Sequence, residues 1–195
     1  MRRLLLVRHA ATPATRSAAF ATDEELDERG LSDAAALLGV LPKGWDAMSS
    51  PALRCTQTAA AAGFPHPVLD PDLAECDFGD WGGRTLAEIH GAQPEEATAW
   101  MNDADAAPHG GESLTAFAER VGGWLERQAK QHGRAVAITH GGVVKAALVH
   151  ALGAPVEAFW RVDVAPLAIT ELHAHAGRWT VTRVNCAVAS PGRSS

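Results

Sequence analysis

The sequence predicts an α/β domain, and three observations carry that prediction. Apolar strand-like segments alternate with segments of helical periodicity along most of the 195 residues, which is the pattern of a sheet covered by helices. Residues 4–7 form a continuous apolar run, as expected of a central strand buried on both faces. A hydrophobic content of 47% is enough for one sizeable core. We therefore predict a single domain over residues 1–188, followed by a disordered tail at residues 189–195.

The elements after this first strand are less regular. Residues 12–27 show no sustained period and predict a loop. Ser32 is a candidate N-cap for a helix that runs through residues 34–38. Residues 46–49 are a candidate second strand, which would be short.

A second helix is predicted to begin at Ser50 and Pro51, a capping residue followed by proline at the first helical position. It would run to residue 62 and stop at Gly63. Beyond it, residues 70–111 are rich in loop-forming residues. Short helices are predicted within that stretch at residues 85–90 and 94–101.

The last third of the chain has the clearest pattern. Ser113 is a candidate cap for a long amphipathic helix that reaches about residue 131. An apolar strand follows at residues 135–139, and Gly141 and Gly142 then lead into a helix. This helix is predicted to end at residue 152. The last predicted element is a hairpin of two strands, at residues 167–173 and 179–184.

Charge and composition narrow the classes of partner. The net charge of −6 argues against a broad basic face, so we expect no nucleic-acid ligand. No apolar run approaches the ~20 residues that a membrane helix needs, so we expect no membrane insertion. Three cysteines, an odd number, favour a reducing cytoplasm over a disulfide scaffold. A homodimer is an open alternative to a monomer.

Polar residues that can bind an anion are predicted to converge at one edge of the sheet. Arg8 and His9 lie at the end of the first strand, and His140 lies at the end of the strand at 135–139. Arg54 lies in the first turn of the helix that follows the second strand. Ligands of open parallel sheets bind beyond the carboxyl ends of the strands. Arginine offers paired donors to phosphate oxygens, and the helix that begins at Gly141 adds free backbone N–H groups. The sequence therefore predicts a phosphate pocket.

A reactive partner for the phosphate is also present. Neutral imidazole is a nucleophile with a pKa that is easily tuned, so His9 can attack phosphorus and form a phosphoramidate. The departing alkoxide needs a proton, and Glu75 is the candidate carboxylic acid because it lies in an irregular loop rich in glycine and aromatic residues.

Five blocks of sequence then resemble, in order, those of the histidine phosphatase superfamily, which includes the cofactor-dependent phosphoglycerate mutases. The resemblance extends from about Leu4 to Val184. The blocks are residues 6–10, 49–59, 73–83, 110–113 and 139–142.

The resemblance implies a three-layer sandwich with a central, mostly parallel sheet flanked by helices. It implies His9 as the phosphorylated nucleophile and Glu75 as acid and then base. It implies a phosphate pocket and catalytic support from the remaining site residues, which are Arg8, Arg54 and His140 with the Gly141 backbone. Two positions depart from the usual signature, Ala10 and Ala11, and the second could alter the entrance for the substrate.

Candidate substrate contacts are Thr12, Trp100 and Glu112. Glu112 could equally favour the dipole of the helix that follows it. No metal site and no cofactor are expected: His173 and His175 share a strand face at a spacing used by zinc sites, but no third ligand is evident nearby.

The predicted function is hydrolysis of small phosphomonoesters through phosphohistidine. The short form with Phe-Gly-Asp-Trp at residues 78–81 resembles α-ribazole phosphatases and broad-specificity phosphatases, so α-ribazole-5'-phosphate is one candidate substrate. A mutase is an alternative, although residues 12–23 offer few polar or aromatic anchors for a closed pocket. A non-catalytic module that binds phosphorylated ligands is a third alternative.

Overall fold

Six strands form one sheet in the computed structural model, which describes residues 1–187. The strands are β1 (Arg2–Arg8), β2 (Asp46–Ser49), β3 (Val68–Leu69), β4 (Gly133–Thr139), β5 (Ile169–His175) and β6 (Arg178–Cys186). Their order across the sheet is β3-β2-β4-β1-β5-β6. The first four of these are mutually parallel, whereas β5 is antiparallel to β1 and to β6. The prediction of a mostly parallel central sheet is confirmed.

Helices cover both faces of this sheet. They are α1 (Pro13–Ser17), α2 (Glu28–Ala35), α3 (Leu53–Ala61), α4 (Leu86–Ala92), α5 (Pro94–Asn102), α6 (Leu114–Ala129) and α7 (Gly141–Leu152). Short 3₁₀ segments occupy Pro71–Leu73, Gly79–Trp81 and Val156–Arg161.

The alternation of side chains along β1 explains the three layers. Leu4 and Leu6 pack into a core with α6 and α7 on one face. Leu5 and Val7 pack with the buried side chains of α3 on the other. Because successive strand residues point to opposite faces, a continuously apolar strand must be covered on both.

Several local predictions were wrong about where the helices begin. Residues 12–27 are not all loop: the Thr12 hydroxyl accepts a hydrogen bond from Thr15 N and starts α1. Asp27, rather than Ser32, caps α2 and accepts from Gly30 N. Helix α3 begins after Ala52 and not at Ser50 and Pro51, and Ala52 provides no side-chain cap.

The other predicted helices and the hairpin are confirmed. Thr85 begins α4 with a reciprocal pair of bonds to Glu88, and Ser113 caps α6. Strands β5 and β6 turn at Ala176 and Gly177. The sequence did not predict β3. The predicted tail at 189–195 and the domain boundary at 188 lie outside the described residues.

Candidate active site

The ends of three parallel strands bring the candidate site together. Strands β1, β4 and β2 lie side by side. The last residue of each strand is polar, and so is the residue that follows it. The residues that follow the strands are His9, His140 and Ser50. His9 N donates to Thr139 O at 2.8 Å, which joins the two histidine-bearing strand ends directly.

His9 is buried, with 4% of its surface exposed, and its ring has a defined orientation. Its Nδ1 lies 2.7 Å from Ala10 O. A carbonyl oxygen can only accept, so Nδ1 carries the proton and the lone pair belongs to Nε2. Burial, followed by the charge of Arg54, lowers the pKa of His9 to about 3. The imidazole is therefore neutral at physiological pH and is held as a nucleophile.

Arg54 connects the two histidines from the first turn of α3. Its Nε donates to His9 Nε2 at 3.3 Å, and its Nη2 lies 3.2 Å from His140 Nδ1. Its Nη1 donates to Thr22 O at 2.6 Å, which fixes the third nitrogen. A buried guanidinium in this position can transfer its hydrogen bonds from the imidazoles to the oxygens of a bound phosphate.

His140 is also neutral and nearly inaccessible. Burial and then the proximity of His9 and Arg54 lower its pKa well below the usual range. Its Nε2 is 2.8 Å from Ser50 Oγ and 3.5 Å from Cys55 Sγ. Since Arg54 can only donate to Nδ1, the proton lies on Nε2 and Ser50 accepts it.

Arg8 approaches the same region from the end of β1. One terminal nitrogen donates to Val164 O. Its Nε is buried and has no hydrogen-bond partner among residues 1–187. A Cβ on Gly141 would lie only 3.2 Å from that Nε, so the guanidinium lies against the N-terminus of α7. A buried donor without an acceptor beside free helix N–H groups is a suitable arrangement for an anion.

Glu75 reaches this helix from the loop that follows Pro71–Leu73. Its two carboxyl oxygens lie near backbone N–H groups, Oε1 at 3.1 Å from Cys76 N and Oε2 at 3.3 Å from Gly142 N. Burial raises its pKa above the ordinary value of 4.5 in spite of these bonds. A carboxyl group with a raised pKa is suited to protonate a leaving group and then to act as a base.

Gly142 leaves space for this carboxyl group. A Cβ at Gly142 would lie 2.1 Å from Glu75 Oε1, closer than any non-bonded contact allows. The second glycine of the pair therefore has a steric role in addition to starting the helix.

The loop that carries Glu75 is braced by Arg120 of α6. The Arg120 guanidinium donates to Glu112 at 2.8 Å, and to the carbonyls of Asp72, Ala74 and Glu75 at 2.9, 3.1 and 3.2 Å. Glu112 thus acts through Arg120, and its Oε2 also accepts from Asp77 N at 3.1 Å.

Glycines allow the two loops to stack backbone to backbone. A Cβ on Gly79 would lie 2.0 Å from His109 O, and one on Gly111 would lie 2.0 Å from Asp77 O. This close approach gives a physical reason for Gly79 and Gly111, which the sequence blocks contained only as part of a pattern.

Two adjoining hollows share Glu75 as a common wall. A cleft of about 360 Å³ contains Arg54 and His140 and is also lined by Thr22, Asp23 and Ser50. A cavity of about 190 Å³ lies next to it and has a largely aromatic wall. The cavity lining comprises Arg8, Glu75, Cys76, Phe78, Trp100, Leu114, Phe117, Gly141, Gly142, Lys145, Phe159, Trp160 and Asp163.

The three candidate substrate contacts are in different places. Trp100 lines the cavity. The Thr12 hydroxyl is buried and donates to Glu24 at 2.6 Å, so it is engaged within the protein. Glu112 pairs with Arg120 and lines neither hollow. Ala11 likewise lines neither hollow, so its expected influence on the substrate entrance has no direct route.

Two further features concern metal ions and membranes. Among residues 1–187, no group of three or more histidine, cysteine, aspartate or glutamate side chains is placed to hold a metal ion. Over the same range, every helix is too short or too polar to cross a membrane.

Some residues of the site were missed in the sequence. Lys145 lies four residues after Gly141 and so on the same helix face, a spacing that could have revealed it. Thr22 contributes its carbonyl and Asp23 its place in the cleft, so the segment at 12–23 is less remote from the phosphate site than its composition suggested. Arg120 had no local signal, because its partners are distant in sequence.

Comparisons with known proteins identify the family. The model of the histidine phosphatase superfamily (branch 1) matches residues 4–187. A glucosyl-3-phosphoglycerate phosphatase of Mycolicibacterium vanbaalenii is 35% identical over 173 residues, covering 80% of this chain and 77% of the relative. The adenosylcobalamin/α-ribazole phosphatase of Escherichia coli is 30% identical over 83% of this chain and 85% of its own.

A solved structure has the same fold. A mycobacterial glucosyl-3-phosphoglycerate phosphatase in complex with VO3 superimposes with a TM-score of 0.83 at 29% identity. The match covers 96% of this chain and 100% of the other.

Proposed function

This chain belongs to the histidine phosphatase superfamily, branch 1, and we propose that it cleaves small phosphomonoesters through a phosphohistidine intermediate on His9. As a phosphoric monoester hydrolase it needs a nucleophile, an electrophilic clamp and an acid. We assign these roles to His9, to Arg8 and Arg54 with His140, and to Glu75.

The observation that carries the proposal is the state of His9. Its Nδ1 proton is donated to Ala10 O, its pKa is lowered to about 3, and its Nε2 faces a buried guanidinium. An imidazole fixed in this way has the lone pair of Nε2 available at any physiological pH.

In the first step, His9 Nε2 forms a bond to phosphorus and the bond from phosphorus to the ester oxygen breaks. Glu75 gives its proton to that oxygen, so a neutral alcohol leaves. Arg54, Arg8 and the N–H groups at Gly141 and Gly142 stabilise the charge on the transferring phosphoryl oxygens.

In the second step, water attacks the phosphohistidine. Glu75, now a carboxylate, accepts a proton from the water as its oxygen bonds to phosphorus, and the nitrogen–phosphorus bond breaks. Inorganic phosphate is released, and His9 and Glu75 regain their starting protonation states.

The mutase alternative requires a pocket that keeps water from the phosphohistidine until a second hydroxyl attacks. Glu75 lines both the cleft and the cavity, and both hollows open to solvent, which favours hydrolysis. Supplying 3-phosphoglycerate with catalytic 2,3-bisphosphoglycerate and following the products by phosphorus NMR separates the two. We expect inorganic phosphate; conversion to 2-phosphoglycerate without phosphate release would favour the mutase.

The substrate is tested with a panel of metabolite phosphates that includes glucosyl-3-phosphoglycerate, α-ribazole-5'-phosphate and phosphoserine. A phosphatase should release phosphate from at least one of these, and a His9→Asn variant should not. A non-catalytic module would bind such ligands without releasing phosphate from any of them, and that outcome would contradict the proposed function.

We also propose where the protein is located and which partners it has. The thiols of Cys55, Cys76 and Cys186 are free, which supports a reducing cytoplasm. The net charge of −6 supports the expectation of no nucleic-acid partner. A homodimer stays a prediction that light scattering at several concentrations would test.

A further inference from the structure

The cavity beside Glu75 contains one cation that phosphate chemistry does not require. Lys145 lines it from α7, on the same helix face as Gly141 and one turn beyond it. The leaving oxygen must lie near Glu75, so the remainder of the leaving group extends toward either the cavity or the cleft. The cleft is lined by Arg54 and His140 next to the nucleophile, and the cavity shares Arg8, Gly141 and Gly142 with the phosphate site. The rest of the cavity lining is largely aromatic, so this part of the cavity is the space available to the leaving group.

Lys145 is half-buried and has no carboxylate partner in an ion pair within residues 1–187. Its Nζ lies 5.2 Å from the centre of the Phe159 ring, an arrangement that holds a cation without neutralising it. Burial lowers the pKa of its ammonium and the charge of Arg8 lowers it further, whereas the nearby charges of Asp163 and Glu75 oppose the shift. An ammonium that is partly removed from water gains most from an anion brought by a ligand.

Aromatic rings form much of the wall of the same cavity. Trp100 lies edge-on to Trp160, with ring centres 4.9 Å apart, and Trp160 lies edge-on to Phe159 at 5.2 Å. Trp160 is 40% exposed and stands at the entrance. The wall can bury the carbon skeleton of a leaving group but supplies few hydrogen bonds to hydroxyls.

Among the described residues that line the cavity, Asp163 and Glu75 are the two that carry a carboxylate. Asp163 is exposed, and its Oδ1 accepts from Val164 N at 2.9 Å, which holds the carboxylate at the rim. The negative charge of Asp163 repels a ligand anion from this rim, and Lys145 attracts it. The two charges therefore orient an anionic ligand within the cavity.

We propose that the cavity selects phosphate esters of alcohols or phenols that carry a carboxylate, and that Lys145 binds this carboxylate. The inference rests on the proposed function, because it assumes that the ester oxygen lies at Glu75. It makes Lys145 a specificity-determining residue for the leaving group, separate from the arginines that bind the phosphoryl group.

The test compares two aryl esters of nearly equal shape, 4-carboxyphenyl phosphate and its neutral amide, 4-carbamoylphenyl phosphate. The phenyl ring suits the aromatic wall, and the two esters differ mainly in one charge. We expect kcat/KM for wild type to favour the carboxylate by about tenfold, the order of one charge-assisted hydrogen bond. Lys145→Gln should bring the ratio to about one, and Lys145→Arg should keep most of it.

Asp163→Asn is the control of opposite sign. Removing the rim carboxylate should leave the ratio unchanged or raise it. A wild-type ratio near one, an unchanged ratio in Lys145→Gln, or a ratio that falls in Asp163→Asn would each overturn the inference. If wild type hydrolyses neither ester nor any of the metabolite phosphates, the proposed function fails instead, so the two failures are distinguishable.

Discussion

Arg54 Nε lies 3.3 Å from His9 Nε2, so the guanidinium that is to bind the phosphate already contacts the atom that is to attack it. The contact has two effects. It orients the lone pair toward the phosphate site, and the positive charge helps to keep the imidazole neutral.

Arg54→Met should therefore raise the pKa of His9 and reduce kcat by about 10²-fold or more, the usual effect of removing one transition-state donor. The pKa should rise because Arg54 is the largest cause of the lowered value after burial. Proton NMR of the His9 ring across pH measures the shift. Arg16→Met, which removes an ion pair with Asp27 at the surface, is the matched control. An unchanged His9 titration in Arg54→Met would mean that burial alone holds the imidazole neutral.

Glu75→Gln should slow alkyl phosphates by about 10²- to 10⁴-fold and aryl phosphates much less, since phenoxide leaves without a proton. Single-turnover rates on ethyl phosphate and phenyl phosphate measure this difference. Equal losses on the two esters would show that Glu75 only positions substrate or holds the loop.

The same carboxyl group predicts a pH profile. An acid must be protonated to act, so the single-turnover rate on ethyl phosphate should fall as pH rises through the pKa of Glu75, which burial raises above 4.5. Glu75→Gln should lack that limb of the profile. A limb that persists unchanged in the variant would assign it to another group.

Gly142→Ala should move Glu75 without weakening the helix. Alanine favours a helix by up to about 1 kcal/mol over glycine, but the added Cβ would lie 2.1 Å from Glu75 Oε1. A displacement of this order can reduce the rate by about 10²-fold, and ethyl phosphate should be affected more than phenyl phosphate.

Gly123→Ala in α6 is the control, because its Cβ would meet nothing closer than an Arg127 nitrogen at 3.7 Å. Kinetics and urea unfolding of both variants separate a displaced acid from a damaged fold. Full activity of Gly142→Ala on ethyl phosphate would contradict the assigned position of Glu75.

Metal removal should leave the rate intact. Arg8, Arg54 and the helix N-terminus supply the positive charge that a metal ion would otherwise provide. Dialysis against a chelator, with and without added magnesium or zinc, is the measurement. A large loss of activity that one of these ions restores would show that the site requires a metal.

The parts of the site that follow a strand were accessible from the sequence. Arg8, His9 and His140 come directly after apolar runs, and parallel strands must place such residues at one edge. The roles of polar side chains near the helix starts were harder to predict, because Thr12, Asp27 and Ser50 each had several possible partners in the sequence. Only the folded chain shows that the Ser50 hydroxyl contacts His140 and does not cap α3.

Contacts between distant loops could not be predicted in this way. Arg120 reaches the carbonyls of the Glu75 loop across 45 or more residues of chain, and nothing near it in sequence indicates that role. The cavity wall has the same origin, since Trp100, Lys145 and Trp160 come from three separate elements. Sequence periodicity reports which face of an element is buried but not which elements meet.

The central claim is that His9 becomes covalently phosphorylated. Rapid quenching under basic conditions during turnover, followed by peptide mapping with mass spectrometry, measures the intermediate directly, because a phosphoramidate survives base and is lost in acid. We expect one phosphoryl group on the peptide that contains His9, and none in His9→Asn. A label on any other residue, or none in the intact enzyme under rapid quench, would contradict the account.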